Sequence, residues 1–124
     1  MPVIRVEVPE GTTPTVKRNI RLGVKQAVLD TLAPKETKYD YVAVSEVFAD
    51  IGDGVPLVTV DLRPGREADR KKALVDAIAA LLKTELNIDP KDLYVLFREN
   101  PAENHYTGGQ PLPPWVPASE LGDN

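Results

Sequence analysis

The sequence holds no cysteine, which excludes disulfides, thiolate metal sites and cysteine nucleophiles together. Its one histidine, His105, supplies too little imidazole for a zinc site or a Ser/His/Asp arrangement. No apolar run approaches the roughly 18 residues of a membrane span, and no charged-then-apolar leader opens the chain. A membrane or secretory role is therefore not expected, and the cytoplasm is the expected address. Cations are outnumbered, 15 Lys and Arg against 19 Asp and Glu. The net charge of −4 has the wrong sign for a nucleic-acid surface. What remains is 124 residues, 42% apolar and 27% charged. That profile predicts one soluble globular domain over residues 1–124.

Residues 2–8 alternate, with Ile4, Val6 and Val8 on one side and Arg5 and Glu7 on the other, the period of a half-buried strand. Gly11 ends it, and Thr13-Pro14 supplies a helix start. Apolar residues follow at helical spacing from Val16 to Leu32, the helix stopping near Ala33-Pro34. Tyr41 to Val47 reads as a second strand, and Asp50 to Gly54 as a turn-rich connector. The pattern then repeats. Val58, Val60 and Leu62 alternate with Thr59 and Asp61, Gly65 closes the strand, and a helix follows. A shift of 54 residues carries Ile20, Val24, Ala27, Val28 and Leu32 onto Leu74, Ile78, Leu81, Leu82 and Leu86. After a one-residue contraction, Leu93 to Phe97 matches the second strand, and Glu99 falls opposite Glu46.

Two β-α-β copies predict an α+β fold: a four-stranded mixed sheet with a pseudo-twofold axis and both helices on one face. Repeat one spans 2–54 and repeat two 55–100, each with a parallel crossover. The other sheet face carries apolar as well as polar side chains, so oligomerisation is expected. The arm over 101–124 is rich in proline and glycine, and Trp115 within it is expected to lie against a neighbouring subunit. Its last residues, from Ser119, are expected to fray.

Two groups stand out chemically. Pro2 follows Met1, and removal of Met1 would turn it into a secondary amine. An α-amino group titrates near about 7.7–8.0. An apolar pocket with arginines nearby would push that toward neutrality, where a general base works best. Pro56 holds the same place in repeat two but is locked inside the chain. The second group is Arg63 and Arg66, in LRPGRE. Repeat one has Pro9 and Thr12 there, so the fold does not require cations. Paired guanidinium groups suit a carboxylate; neutralisation by Glu67 and Asp69 on a solvated surface is the plain alternative.

These features together resemble the tautomerase superfamily: proline after Met1, a β-α-β unit ending in glycine, its fused second copy, and R-x-x-R at the second turn. The resemblance covers roughly residues 2–110. It is to the 4-oxalocrotonate tautomerase-like proteins, in their fused branch with the cis-3-chloroacrylic acid dehalogenase and malonate semialdehyde decarboxylase groups. It implies a catalytic Pro2, a carboxylate held by Arg63 and Arg66, and a pocket closed by ENPAENHYTGG, bringing His105 and Tyr106 near. Tyr39 matches an aromatic of the family pocket. Val28 and Thr107 stand where the dehalogenase pattern has histidine and glutamate, and Thr37 where the decarboxylase pattern has aspartate, with Asp40 close by.

The expected function is a cofactor-independent isomerase of small 2-oxo or enol acids, with Pro2 as general base and Arg66 also stabilising the enolate. One rival has Pro2 as general acid in decarboxylating, hydrating or dehalogenating a 3-oxo or unsaturated acid. Another is a non-catalytic binding or signalling protein on the same scaffold. No metal or other cofactor is implied. The expected partners are a small carboxylate substrate and, as the resemblance implies, two further copies in a homotrimer, with no nucleic acid and no membrane.

Overall fold

Alternation sets the first element. Val3–Pro9 forms strand β1, with Ile4, Val6 and Val8 buried and Arg5 exposed on the opposite face. Helix α1 (Pro14–Thr31) begins where expected: the Thr13 hydroxyl accepts from the Val16 N–H, and Pro14 occupies the first turn. The computed structural model describes residues 2–34 and 41–117. Thr37, Tyr39 and Asp40 fall outside those residues, as do the chain's last positions from 118 onward. The chain resumes as β2 (Tyr41–Val47), parallel to β1 in a register running from Val3–Tyr41 to Pro9–Val47.

The connector after β2 holds two short paired strands, β3 (Asp50–Ile51) and β4 (Gly54–Val55), where the sequence predicts only a turn. Repeat two then supplies β5 (Leu57–Leu62), α2 (Ala68–Leu86) and β6 (Tyr94–Glu99). Strand β5 runs antiparallel to β1, and β6 parallel to β5, so the sheet order is β2-β1-β5-β6. The fold is the predicted α+β architecture with a mixed four-stranded sheet and two helices.

The duplication reaches individual contacts. The Tyr41 N–H donates to the Pro2 carbonyl at 3.4 Å, and the Tyr94 N–H to the Pro56 carbonyl at 3.2 Å. Lys17 pairs with Glu46 at 2.8 Å, and Lys71 with Glu99 at 3.3 Å. Each ties a helix to its own repeat's second strand, which explains the matched glutamates without any catalytic role.

Ile20, Val24 and Val28 of α1 and Leu74, Ile78 and Leu82 of α2 are buried over β1 and β5. The helices lie antiparallel: Asn19 meets Glu85 at one end, and Leu32 meets Arg66 at the other. Gly23 lets them approach, since a Cβ there would lie 2.7 Å from the Leu81 side chain. The sheet's opposite face presents Tyr41, Tyr94 and Leu96 exposed beside Arg5 and Arg98. Among the described residues, no helix is long and apolar enough to cross a membrane.

The arm departs from expectation. It carries a 3-10 turn (Ala102–Asn104) and a ribbon of β7 (Tyr106–Thr107) and β8 (Gln110–Pro111). Trp115 does not await a neighbouring subunit. It is 6% exposed and packs on its own chain against Gly65. Gly65 has φ +123, and a Cβ there would come within 3.2 Å of the indole ring. That contact is open only to a residue without a side chain, and it seats Trp115 on the turn between β5 and α2.

Candidate active site

The sheet register brings the candidate residues to one end of the fold. Val3 pairs with Asp61, so Pro2, one residue before Val3, and Arg63, two residues after Asp61, share the same sheet end. Pro2 is buried. Arg63 is 6% exposed and Arg66 4%.

That burial removes the solvated-surface alternative. Glu67 pairs with Arg70 at 2.6 Å, and the Asp69 carboxylate accepts the Arg70 backbone N–H. Arg63 has no carboxylate partner among the described residues. One of its Nη groups donates to the Pro113 carbonyl, while its buried Nε has no hydrogen-bond partner there. Burial pushes the guanidinium below its ordinary value. An arginine desolvated in this way favours an anion that restores the lost solvation.

Arg66 sits at the turn before α2 yet points to the end of α1. Its Nε donates to the Leu32 carbonyl at 3.0 Å. Arg70, one helical turn on, reaches the Thr31 carbonyl at 3.4 Å, and the Trp115 indole N–H donates to the Ala33 carbonyl at 3.2 Å. Three consecutive carbonyls at the end of α1 are thus met by donors from repeat two and from the arm. The last turn of α1 has no basic residue of its own, so these cations complement the negative end of its dipole. An arginine beside the start of α2, unfavourable for that helix alone, is accounted for by the neighbouring helix.

Sequence reasoning missed this cap and the roles of Arg70, Pro113 and Trp115 in it. Arg66 just before α2 and Arg70 in its first turn are two cations at the helix end that disfavours them, a readable signal; the position of Trp115 was not.

His105 is linked to the same end of the fold through Asn100, whose N–H donates to the Leu62 carbonyl, and through Leu112, whose N–H donates to the His105 carbonyl. His105 is half-buried and hydrogen-bonds through Nε2 with the Asn100 carbonyl at 3.2 Å. Tyr106, 68% exposed in the β7–β8 ribbon, makes no side-chain hydrogen bond among the described residues. Tyr39 lies outside the described residues. A cleft of about 380 Å³ runs beside Val3, Arg5, Arg21 and Tyr41, and is not lined by Pro2, Arg63 or Arg66. Among the described residues, no cluster of His, Cys, Asp or Glu could hold a metal ion.

The Tautomerase enzyme family model matches residues 56–113. No curated protein sequence matches the chain significantly. Among solved structures, one described as a fused 4-OT in an asymmetric trimer superposes with a TM-score of 0.78 at 24% identity, over 97% of this chain and 98% of that one. A malonate semialdehyde decarboxylase gives 0.69 at 23% identity, over 86% and 90%. A member of the cis-3-chloroacrylic acid dehalogenase family gives 0.75 at 22%, over 96% and 87%. The second repeat thus matches the Tautomerase enzyme family model, and the chain shares the fold of these solved structures over nearly its whole length.

Proposed function

We propose that the protein is a cofactor-independent isomerase of small 2-oxo or enol carboxylic acids, with the Pro2 amine as general base once Met1 is removed. Arg63 and Arg66 hold the substrate carboxylate, and Arg66 also steadies the negative charge that develops on oxygen. The proton leaves carbon for the Pro2 nitrogen and returns to another atom of the same substrate, so the reaction balances without an oxidant or co-reactant. The observation that carries this reading is Arg63: a buried cation at the sheet end where Pro2 lies, with no carboxylate partner among the described residues. His105 and Tyr106 have a lesser place in it, as walls that the ribbon could bring to a bound substrate, and Tyr39 as a further aromatic wall.

The working form is proposed to be a homotrimer of fused chains. Supporting this, the open sheet face leaves Tyr41, Tyr94 and Leu96 in solvent, and a structural relative is described as a trimer. The proposed location is the cytoplasm, and the single domain with its arm is taken to act as one unit.

Pro2→Ala, made in protein whose intact mass shows Met1 removed, tests the base. Turnover of phenylpyruvate or 2-hydroxymuconate should fall about 10²- to 10⁴-fold, the usual worth of a positioned base. An unchanged rate would favour a binding or signalling protein. The general-acid alternative, a decarboxylase, hydratase or dehalogenase of a short 3-oxo or unsaturated acid, predicts the opposite pH profile. Activity should rise with pH through the Pro2 titration for a base and fall for an acid.

A further inference from the structure

We infer that the Pro113–Trp115 segment is a positioning strap that fixes both guanidinium groups of the carboxylate site, with Trp115 as its principal positioning residue. The inference rests on the reading of Arg63 and Arg66 as carboxylate-binding groups, and adds what sets their affinity.

The two ends of this tripeptide grip different arginines. At one end, the Pro113 carbonyl accepts from Nη1 of Arg63. That bond uses one corner of the guanidinium and leaves the Nε edge, which has no partner among the described residues. At the other end, the indole of Trp115 lies with its centroid 4.5 Å from the Arg66 guanidinium carbon. Stacking fixes the tilt of the Arg66 plane, and the Nε bond to the Leu32 carbonyl fixes its direction.

Trp115 is itself held on two sides. Its N–H is bonded to the Ala33 carbonyl, and its ring edge rests on Gly65. Gly65 lies between Arg63 and Arg66 in sequence, so the strap is seated on the turn that carries both cations. Arg70 approaches the same ring at 5.7 Å but is already paired with Glu67.

An arginine side chain has many rotamers, and ordering it on ligand binding weakens affinity. Here that ordering is done in the fold. A carboxylate then meets two guanidinium groups already set, so the strap should act on affinity rather than on proton transfer.

The test compares Trp115→Phe, which keeps an aromatic face, with Trp115→Leu, which keeps apolar bulk only. Each is assayed for phenylpyruvate turnover, calorimetric malonate affinity and thermal unfolding. We expect Trp115→Leu to raise KM and the malonate Kd about tenfold, with kcat within about threefold of wild type and a cooperative melt; Trp115→Phe should hold both constants within about threefold. Unchanged constants in both variants would overturn the inference. Equal weakening in both would do so too, by assigning the effect to the indole N–H or to bulk. The malonate arm separates this from failure of the isomerase reading, since it needs no turnover and can be run in Pro2→Ala protein. Should Trp115→Leu fail to fold, the wild type still decides: Trp115 is the chain's one tryptophan, and its emission should change saturably with malonate. No change would overturn the inference.

Discussion

Arg66 donates from Nε to the carbonyl of Leu32 at 3.0 Å, so a residue of the second repeat caps the helix of the first. Truncation to alanine should leave that carbonyl end short of a buried donor and lower stability by about 1–3 kcal/mol. Arg66→Lys should recover charge but little of the loss, because an ammonium cannot both stack on Trp115 and donate from the Nε position. Urea unfolding midpoints measure both. A midpoint for Arg66→Ala equal to wild type would remove the cap from the account.

Gly65→Ala should be more damaging than an ordinary turn substitution. The backbone at φ +123 disfavours any side chain, and the added methyl would press on the Trp115 ring at 3.2 Å. Loss of about 1–3 kcal/mol is expected, together with weaker carboxylate binding. If only stability changes, the turn holds the strap without setting the site.

The helices should contribute in matched pairs. Ile20 and Leu74 occupy equivalent positions and are both fully buried. Each truncated to alanine should cost about 2–5 kcal/mol, read by denaturant titration. One of the two costing less than about 1 kcal/mol would show that the repeats no longer share one core.

The open sheet face carries a pH-dependent contact. Asp61 accepts from Arg98 through both carboxylate oxygens, at 2.9 and 2.8 Å. This hydrogen bonding holds the carboxyl below its ordinary value, against partial desolvation, with help from Asn100. A depressed carboxyl stabilises the fold above its unfolded value of about 3.9, and the gain disappears as pH falls through the lower folded value. Asp61→Asn should therefore show a shallower loss of stability below about pH 4 than wild type. Identical acid-unfolding curves would mean the contact does not matter in solution.

Much of the fold was legible because periodicity is local. The alternation at Ile4, Val6 and Val8, the Thr13-Pro14 cap and the 54-residue echo of Ile20 in Leu74 need only neighbouring residues to be read. Glu46 and Glu99 were legible as equivalents, though not as partners of Lys17 and Lys71. The arginines at 63 and 66 could be singled out because repeat one lacks them. Whether they were solvated or buried could not be read from composition, since burial depends on what covers them.

The covering came from far along the chain. Arg66 and Leu32 are 34 residues apart, Arg63 and Pro113 are 50, and Trp115 and Ala33 are 82. The sequence by itself determined the duplicated β-α-β units, the apolar faces and the presence of two unmatched cations, because spacing along a strand or helix dictates those directly. Tertiary structure alone decided that the proline-rich arm folds back onto its own arginines and that the second repeat caps the first repeat's helix. Those outcomes depend on carbonyl, ring and guanidinium meeting in space, which no period along the chain encodes.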